Sequence, residues 1–261
     1  VRSRGLGDVY KRQSICRVSW GCVSRIWCWS PRRAARSSTP IQRNCRWWAE
    51  LIRCTIPHLD LAQIAASGQC FTWGRGAAGS WTIPAGERLV TACQRGEELT
   101  FSCDMAEFDA FWAGYFDLDT DYGALKASVD PADRYLTAAV AHGGGIRILR
   151  QDFWEVLVSF LISQNNNITR IMALLRERYG KSTGGFRAFP RPDGLTGVSE
   201  ADFRDVGLGY RAKYLTWLSR ELAGGGLEAL ERTLSDAGDE EAERTLMGLY
   251  GCLLYTSDAA D

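Results

Sequence analysis

The sequence lacks the features that mark membrane, secreted and zinc-binding proteins. No apolar run approaches the ~18–20 residues that a helix needs to cross a bilayer. The chain does not begin with a basic segment, an apolar stretch and a small-residue cleavage site in that order, so we expect a protein that is not secreted. The nine cysteines include no Cys-x-x-Cys pair, which argues against zinc, and without a secretory signal a disulfide framework is not expected. We therefore predict free thiols, no metal and no cofactor.

Charge is balanced overall but unevenly distributed along the chain. The 261 residues carry 31 basic and 31 acidic side chains. Residues 1–49 hold 11 of the basic residues and a single acid, Asp8, whereas residues 50–251 hold 20 basic and 28 acidic residues. An acidic main body argues against indiscriminate binding to a phosphate backbone.

The two ends of the chain do not resemble folded protein. Residues 14–48 hold five of the ten tryptophans and seven arginines but no acid, and they show neither helical nor alternating periodicity. The segments 5–13 and 252–261 resemble translated sequencing adapters. We interpret residues 1–48 and 252–261 as non-native sequence. A basic, aromatic arm that binds nucleic acid is the alternative for the first segment.

The part between these ends predicts an α+β fold with two domains. A helix at Leu61–Ala66 and a turn at Ser67-Gly68 come first. Short strand-like stretches separated by glycine-containing turns follow, which indicates an antiparallel β-meander. The predicted strands are Cys70–Trp73, Ser80–Ile83, Arg88–Gln94 and Leu99–Cys103. After Asp104 the pattern is helical, so we predict a small N-terminal antiparallel β domain over 49–104 and an all-α domain over 105–251.

Helical periodicity is clearest in two stretches of the second domain. The first follows Gln151, with Asp152 as its cap, and a polar run at 164–167 interrupts its apolar face. The second begins at Ser199 and continues until the glycines at 224–226. Two shorter helices are predicted after these glycines, at Leu227–Leu234 and Glu240–Leu249.

Three motifs carry most of the functional information. They are SGQCFTW at 67–73, SQNNNITRI at 163–171 and GLGYRAKY at 207–214. In this order and spacing they resemble the 8-oxoguanine DNA glycosylases of the helix-hairpin-helix superfamily, over about residues 54–251. The resemblance implies base-excision repair, in which 8-oxoguanine opposite cytosine is removed and an associated AP-lyase activity cleaves the strand. The implied partner is double-stranded DNA containing this pair; we expect a monomer, no membrane association and, in a bacterium, a cytoplasmic, nucleoid-associated location.

Oxidation of guanine at C8 changes the edge that a protein must read. Guanine N7 is an acceptor, whereas in 8-oxoguanine it carries a proton and becomes a donor. The resemblance assigns lesion recognition to Gly68 and Gln69, with the Gly68 carbonyl as the fixed acceptor near N7. Facing normal guanine this acceptor would meet an acceptor, at a cost of about 1–3 kcal/mol. The alternative is a turn that merely joins a helix to a strand.

Flipping the damaged base leaves its partner cytosine unpaired. The resemblance assigns this cytosine to Asn165, Arg170 and Arg211, whose amide and guanidinium groups suit its N3 and O2 acceptors and its amino donor. It assigns to Tyr210 the wedge that replaces lost stacking, worth about 1–3 kcal/mol. The alternatives are a simple helix–helix connection at 164–167 and an amphipathic helix that buries Tyr210.

The residues that perform catalysis in the family are expected after the last matching residue. The family's hairpin has the pattern Leu-x-Gly-Val-Gly-x-Lys-Val-Ala, in which the lysine attacks C1′ of the sugar and a later aspartate assists. Leu249-Tyr250-Gly251 matches its first part, so Gly251 is the predicted hairpin start and we assign no catalytic residue. We expect this chain to be inactive in excision. A non-catalytic damaged-DNA-binding module and an alkyl-base glycosylase of the same superfamily are the alternatives.

Overall fold

The computed structural model describes residues 51–162 and 167–251. The interpretation of residues 1–48 and 252–261 as non-native sequence lies outside the described residues and stays a prediction. Helices and a sheet are both present, which confirms the α+β class.

The described residues form two compact units. The first contains residues 51–84 and 89–150, and the second contains residues 85–88, 151–162 and 167–251. The division of the chain at residue 104 into a β domain and a helical domain stays a prediction.

A five-stranded sheet matches the predicted meander. Its strands are β1 (Ile52–Thr55), β2 (Gly74–Arg75), β3 (Trp81–Ala85), β4 (Arg88–Arg95) and β5 (Glu98–Phe101). The spatial order is β1-β5-β4-β3-β2. The strands β2 to β5 therefore lie side by side in the order in which they occur along the chain, and β1 lies at the edge beside β5. The β1–β5, β4–β5 and β2–β3 pairs are antiparallel.

The structure corrects the first predicted strand. Residues Cys70–Trp73 are not a strand, and after β1 the chain returns to the sheet only at β2, where Gly74 lies opposite Thr82. Cys70 is buried, with its thiol 3.9 Å from the carbonyl oxygen of Ile64 in the preceding helix. Cys70 therefore packs on that helix, while the Trp73 ring lies 6.1 Å from the Trp81 ring of β3, between centroids. Sequence reasoning also missed β1, whose partner β5 lies more than forty positions along the chain.

Burial alternates along the central strands because successive side chains point to opposite faces of a sheet. Val90 of β4 and Leu99 and Phe101 of β5 are fully buried. The ring of Phe101 lies 5.2 Å from that of Phe108 and 5.5 Å from that of Phe116, between centroids. These contacts join the sheet to the helices that follow it within the first unit.

The helices of the first unit are short, and aspartates cap most of them. They are α1 (Leu61–Ala66), α2 (Met105–Glu107), α3 (Ala113–Tyr115), α4 (Tyr122–Ala127) and α5 (Arg134–His142), with a π-helical segment at Phe108–Trp112. The helix predicted at 61–66 is confirmed. Asp60, Asp104, Asp121 and Asp133 each accept a hydrogen bond from a backbone N–H of the first turn, which stabilises a helix start.

The second unit is mainly helical, as predicted. Its helices are α6 (Phe153–Ile162), α7 (Ile168–Tyr179), α8 (Pro192–Leu195), α9 (Glu200–Phe203), α10 (Ala212–Glu221), α11 (Gly226–Asp236) and α12 (Asp239–Met247). The predicted cap of α6 is confirmed, since the Glu155 N–H donates to Asp152 Oδ1 at 3.0 Å. Ser199 and Asp202 form a reciprocal capping box at the start of α9.

A short hairpin breaks the run of helices. Strands β6 (Ser182–Thr183) and β7 (Phe186–Arg187) pair in antiparallel register. The two residues between them, Gly184 and Gly185, have φ values of +54° and +88°, the left-handed conformations that close two-residue hairpins. The prediction that the chain is helical throughout after Asp104 is wrong here, although the Gly-Gly signal was present.

Candidate nucleic-acid interface

The first motif forms a helix end followed by a left-handed glycine. Ser67 closes α1, with its hydroxyl donating to the carbonyl oxygen of Ile64 at 2.7 Å. Gly68 has a φ of +80°, which disfavours any residue that carries a Cβ. An ideal Cβ at Gly68 would have no heavy atom within 4 Å. The backbone conformation therefore requires glycine, while the space beside its Cα is open.

Gln69 is buried and bridges two distant parts of the first unit. It is 7% exposed. Its Nε2 donates to the carbonyl oxygen of Arg147 and to Ser67 Oγ, both at 2.9 Å. Its Oε1 accepts from the N–H of Leu149 at 2.8 Å. The side-chain amide thus binds the backbone on both sides of residue 148.

Charged and polar groups hold the same backbone segment from another side. Arg147 is buried, and its guanidinium donates to the carbonyl oxygen of Asp117 at 2.8 Å. Arg150 pairs with the Asp117 carboxylate at 2.5 Å. The Tyr122 hydroxyl donates to that carboxylate at 2.9 Å and accepts from the N–H of Ile148 at 2.8 Å. Burial raises the pKa of Tyr122 to about 12, so the phenol stays neutral and can keep both bonds.

The second motif lies partly outside the described residues. Asn165 belongs to the segment that is not described, so its role stays a prediction. Arg170 lies exposed in the first turn of α7, which begins after Asn167. The next residue, Ile171, is buried, and its side chain lies 3.8 Å from the position that a Cβ on Gly207 would occupy. The start of α7 therefore packs against the third motif.

The third motif is a turn between two helices, where the sequence suggested one continuous helical stretch. After α9 come a π-helical segment at Arg204–Leu208 and a 3-10 turn at Gly209–Arg211, and α10 follows. Gly207 has φ +107° and Gly209 has φ +57° with ψ −133°. Side chains with a Cβ are sterically excluded from such conformations, and the two glycines therefore interrupt the helix.

This turn presents an aromatic ring and a guanidinium together. Tyr210 is 56% exposed, whereas Arg211 is only 8% exposed. The guanidinium carbon of Arg211 lies 4.4 Å from the centroid of the Tyr210 ring. Such cation–π stacking restrains the plane of the guanidinium. The interpretation that buries Tyr210 in an amphipathic helix does not fit its exposure.

An aromatic cluster that sequence reasoning did not identify lies beside the turn. Tyr214 contacts Tyr210 at 6.2 Å and Tyr250 at 4.9 Å between ring centroids, edge to face in both cases. The ammonium of Lys213 lies 5.0 Å from the Tyr214 ring and 5.9 Å from the Tyr250 ring. At Gly251, with φ +91°, a Cβ would lie 2.4 Å from Tyr214 Cγ, so only glycine fits there. The spacing of Tyr210 and Tyr214 was the available signal, but Tyr250 joins them only through the fold.

The predicted site residues fall into two groups. Gly68 and Gln69 belong to the first unit, while Arg170, Tyr210, Arg211 and Gly251 belong to the second. Within the described part of the chain, no group of three or more His, Cys, Asp or Glu side chains could hold a metal ion. Among those residues there is also no helix whose length and apolarity would allow it to cross a membrane.

Known proteins resemble this chain in sequence. Residues 51–157 match the family model of the 8-oxoguanine DNA glycosylase N-terminal domain. An N-glycosylase/DNA lyase of Arabidopsis thaliana is 31% identical over 216 residues, covering 75% of this chain and 56% of that protein. An N-glycosylase/DNA lyase of Saccharomyces cerevisiae is 35% identical over 225 residues, covering 74% of this chain and 59% of that protein. The chain thus spans somewhat more than half the length of these relatives.

A solved structure resembles the chain in both sequence and fold. It is the 8-oxoguanine glycosylase/lyase of Clostridium acetobutylicum, crystallised in complex with dsDNA containing cytosine opposite 8-oxoG. Its sequence is 32% identical, the TM-score is 0.72, and the match covers 82% of this chain and 74% of that one. Agreement at this level in both sequence and fold, together with the domain match, shows that this chain belongs to the 8-oxoguanine DNA glycosylase family.

Proposed function

We propose that the protein acts in base-excision repair as an 8-oxoguanine DNA glycosylase with associated AP-lyase activity. The described residues, in this proposal, recognise 8-oxoguanine paired with cytosine in double-stranded DNA. The observation that carries it is the glycine-led turn at 207–211, on which an exposed tyrosine and a stacked arginine stand side by side. One flipped base and its partner contain no two-fold repeat, so a monomer suffices.

The Gly68 turn supports recognition of the lesion. A carbonyl in a rigid backbone is a fixed acceptor, and it attracts the N7–H of 8-oxoguanine but repels the lone pair on N7 of guanine. Gly68 has a left-handed backbone with open space where a side chain would otherwise stand. Both properties suit close approach of a base to the backbone.

The turn at 207–211 supports recognition of the opposite strand. Arg211 offers planar guanidinium donors for the cytosine acceptors O2 and N3, and its stacking on Tyr210 reduces the freedom lost on binding. Arg170 is exposed on the helix that packs against this turn, and Asn165 precedes that helix by three residues. Tyr210 is the proposed wedge, and Lys213, beside it, is the proposed contact to a backbone phosphate.

We assign no nucleophile among the described lysines. Lys126 donates to the carbonyl oxygen of Gly144, and desolvation lowers its pKa. Lys181 pairs with Glu87 at 3.0 Å. The side-chain nitrogen of Lys213 packs against the Tyr214 and Tyr250 rings. The lysine of the family's hairpin, expected after Gly251, is the proposed nucleophile.

Equilibrium binding tests the proposal without requiring excision. The chain is titrated against three short duplexes that differ at one position, carrying 8-oxoG·C, G·C or 8-oxoG·A. We expect the highest affinity for 8-oxoG·C. Arg211→Ala should reduce the preference for cytosine over adenine by about 1–3 kcal/mol and leave the affinity for G·C nearly unchanged.

Arg220→Ala is the matched control, because Arg220 is an exposed arginine on α10, the helix that begins directly after Arg211. It should leave the preference for cytosine intact. Equal affinity of the unsubstituted chain for all three duplexes would refute lesion recognition. Equal effects of the two arginine substitutions would refute the role of Arg211.

A further inference from the structure

The backbone from Gly145 to Arg150 belongs to no strand or helix, although half of its residues are buried. Side chains and the backbone of neighbouring segments bind its polar groups. The Gly145 N–H donates to Gln63 Oε1 at 2.8 Å, and the Arg150 N–H donates to the carbonyl oxygen of Tyr115 at 2.9 Å. Buried peptide groups need such partners, so these contacts hold the segment in one path.

Gln69 is the side chain that binds this segment at its centre. Its amide matches a peptide group, with a donor facing the Arg147 carbonyl oxygen and an acceptor facing the Leu149 N–H. The contact partners are 78 and 80 residues away in sequence. Two bonds to neighbouring peptides restrain both the position and the plane of the amide, and a bond to Ser67 Oγ adds a third.

Gly68 itself has little that fixes its orientation. Glycine adopts many backbone conformations, and no heavy atom would lie within 4 Å of a Cβ here. The carbonyl of Gly68 belongs to the peptide that joins it to Gln69. Restraint of Gln69 therefore limits rotation of that peptide, because one end of it is anchored.

We propose that Gln69 is a positioning residue that fixes the direction of the Gly68 carbonyl by binding Arg147 and Leu149, and that its side chain does not touch the lesion. This inference rests on the proposed function of Gly68 as the lesion reader. It assigns a distinct task to each residue of the pair, with the glycine supplying the acceptor and the glutamine supplying the rigidity that glycine lacks.

The substitution Gln69→Glu separates this role from a contact with DNA. Glutamate has nearly the same shape, but an ionised carboxylate faces the Arg147 carbonyl oxygen with an acceptor where glutamine has a donor. The hydrogen bond to the Arg147 carbonyl oxygen is lost, while the one from the Leu149 N–H is kept. Gln69→Met removes all three hydrogen bonds without adding charge, and it serves for the same comparison if the glutamate variant does not fold.

The test measures equilibrium binding of the 261-residue chain to duplexes with 8-oxoguanine, guanine or a tetrahydrofuran abasic analogue opposite cytosine. The analogue has no base for Gly68 to read, so its affinity reports only the remaining contacts. We expect Gln69→Glu to reduce the preference for 8-oxoguanine over guanine on the order of tenfold, the equivalent of one hydrogen bond. Affinity for the analogue should not change.

Gln63→Met is the matched control for Gln69→Met, because the Gln63 side-chain oxygen also holds the 145–150 segment but Gln63 does not adjoin Gly68. It should keep the preference for 8-oxoguanine. In a Gly68→Ala background, Gln69→Glu should cause no further loss of preference, since the two residues act through one carbonyl.

The outcomes distinguish this inference from the proposed function. If the unsubstituted chain prefers 8-oxoguanine and Gln69→Glu keeps that preference, the positioning role is wrong while the proposed function stands. If Gln69→Glu weakens binding to all three duplexes equally, its role is only structural and the inference is overturned. If the unsubstituted chain shows no preference, the proposed function itself fails.

Discussion

The two glycine-led turns of this protein, at Gly68 and at 207–211, use the same backbone freedom for opposite purposes. At Gly68 the neighbouring side chain, Gln69, turns inward and is buried in hydrogen bonds. At 207–211 the glycines turn Tyr210 outward, and Arg211 stacks on it. The first turn presents backbone, whereas the second presents side chains.

This difference determines which substitutions should affect function. Where backbone is presented, the critical residues are the glycine and the buried group that holds it. Where side chains are presented, the critical residues are the glycines that orient the side chains and the residues whose side chains would contact DNA. The following substitutions test the comparison, from the largest expected effect to the smallest.

Gly209→Ala should have the largest effect, because φ +57° with ψ −133° excludes residues with a Cβ. The strain should cost about 1–3 kcal/mol of the free energy of unfolding. Any relaxation rotates Tyr210 and Arg211 away, so affinity for the 8-oxoG·C duplex should also fall. Urea unfolding and duplex titration measure the two effects.

Gly194→Ala is the control for this substitution, because Gly194 lies in a helix with no atom near its would-be Cβ. It should lower neither the free energy of unfolding nor the duplex affinity, since alanine favours a helix more than glycine does. If Gly209→Ala binds the 8-oxoG·C duplex with unchanged affinity, the second turn does not orient the side chains that contact DNA.

Gly68→Ala should destabilise the protein less, by about 1–2 kcal/mol, because only the left-handed φ is strained and no clash occurs. Gly96→Ala makes the same change at φ +63°, again with no atom within 4 Å. Both variants should lose similar stability in urea unfolding. Only Gly68→Ala should lose the preference for 8-oxoguanine over guanine, and parallel behaviour of the two variants in binding would contradict lesion reading at the first turn.

Lys213→Ala should reduce the salt dependence of duplex binding and leave the preference for 8-oxoguanine nearly unchanged. A single phosphate contact contributes about one unit to the slope of log Kd against log salt concentration. Lys181→Ala is the control, since Lys181 is paired with Glu87. We expect a shallower slope for Lys213→Ala alone. Identical slopes for the two variants would remove Lys213 from the proposed DNA contact.

Ser199→Ala should have the smallest effect on binding, because it alters the helix that leads into the second turn without touching the turn itself. Loss of the capping box should cost about 1 kcal/mol of the free energy of unfolding. Hydrogen bonds from the Ser199 side chain and backbone lower the pKa of Asp202. This carboxylate therefore stabilises the folded state at neutral pH, and its contribution is lost as pH falls through its lowered pKa.

Melting temperatures measured from neutral to acidic pH check this prediction. The decrease of Tm on acidification should be smaller for Ser199→Ala than for the unsubstituted chain. Ser128→Ala, at a helix end where the hydroxyl donates to a carbonyl oxygen, is the control and should keep the full decrease. A pH profile unchanged by Ser199→Ala would show that the capping box does not shift Asp202.

Local signals in the sequence were sufficient for much of the fold. The helix at 61–66, the cap at Asp152 and the helix start at Ser199 each depend on residues within one turn of each other, so a linear pattern reveals them. The strand β1 was missed, because its partner β5 lies elsewhere in the chain and no local pattern specifies such a pairing. The strand predicted at Cys70–Trp73 was wrong, since these residues do not form a strand.

The sequence by itself determined the family, through three motifs in a fixed order, and the identities of Gly68, Arg170, Tyr210 and Arg211 as candidate readers. Only the tertiary structure decided that Gln69 is buried against Arg147 and Leu149 and that Tyr250 joins Tyr214 beside Lys213. The physical reason is the sequence separation between the residues that determine each property. A backbone conformation that requires glycine is a local property, whereas the partner of a buried amide depends on the path of the whole chain.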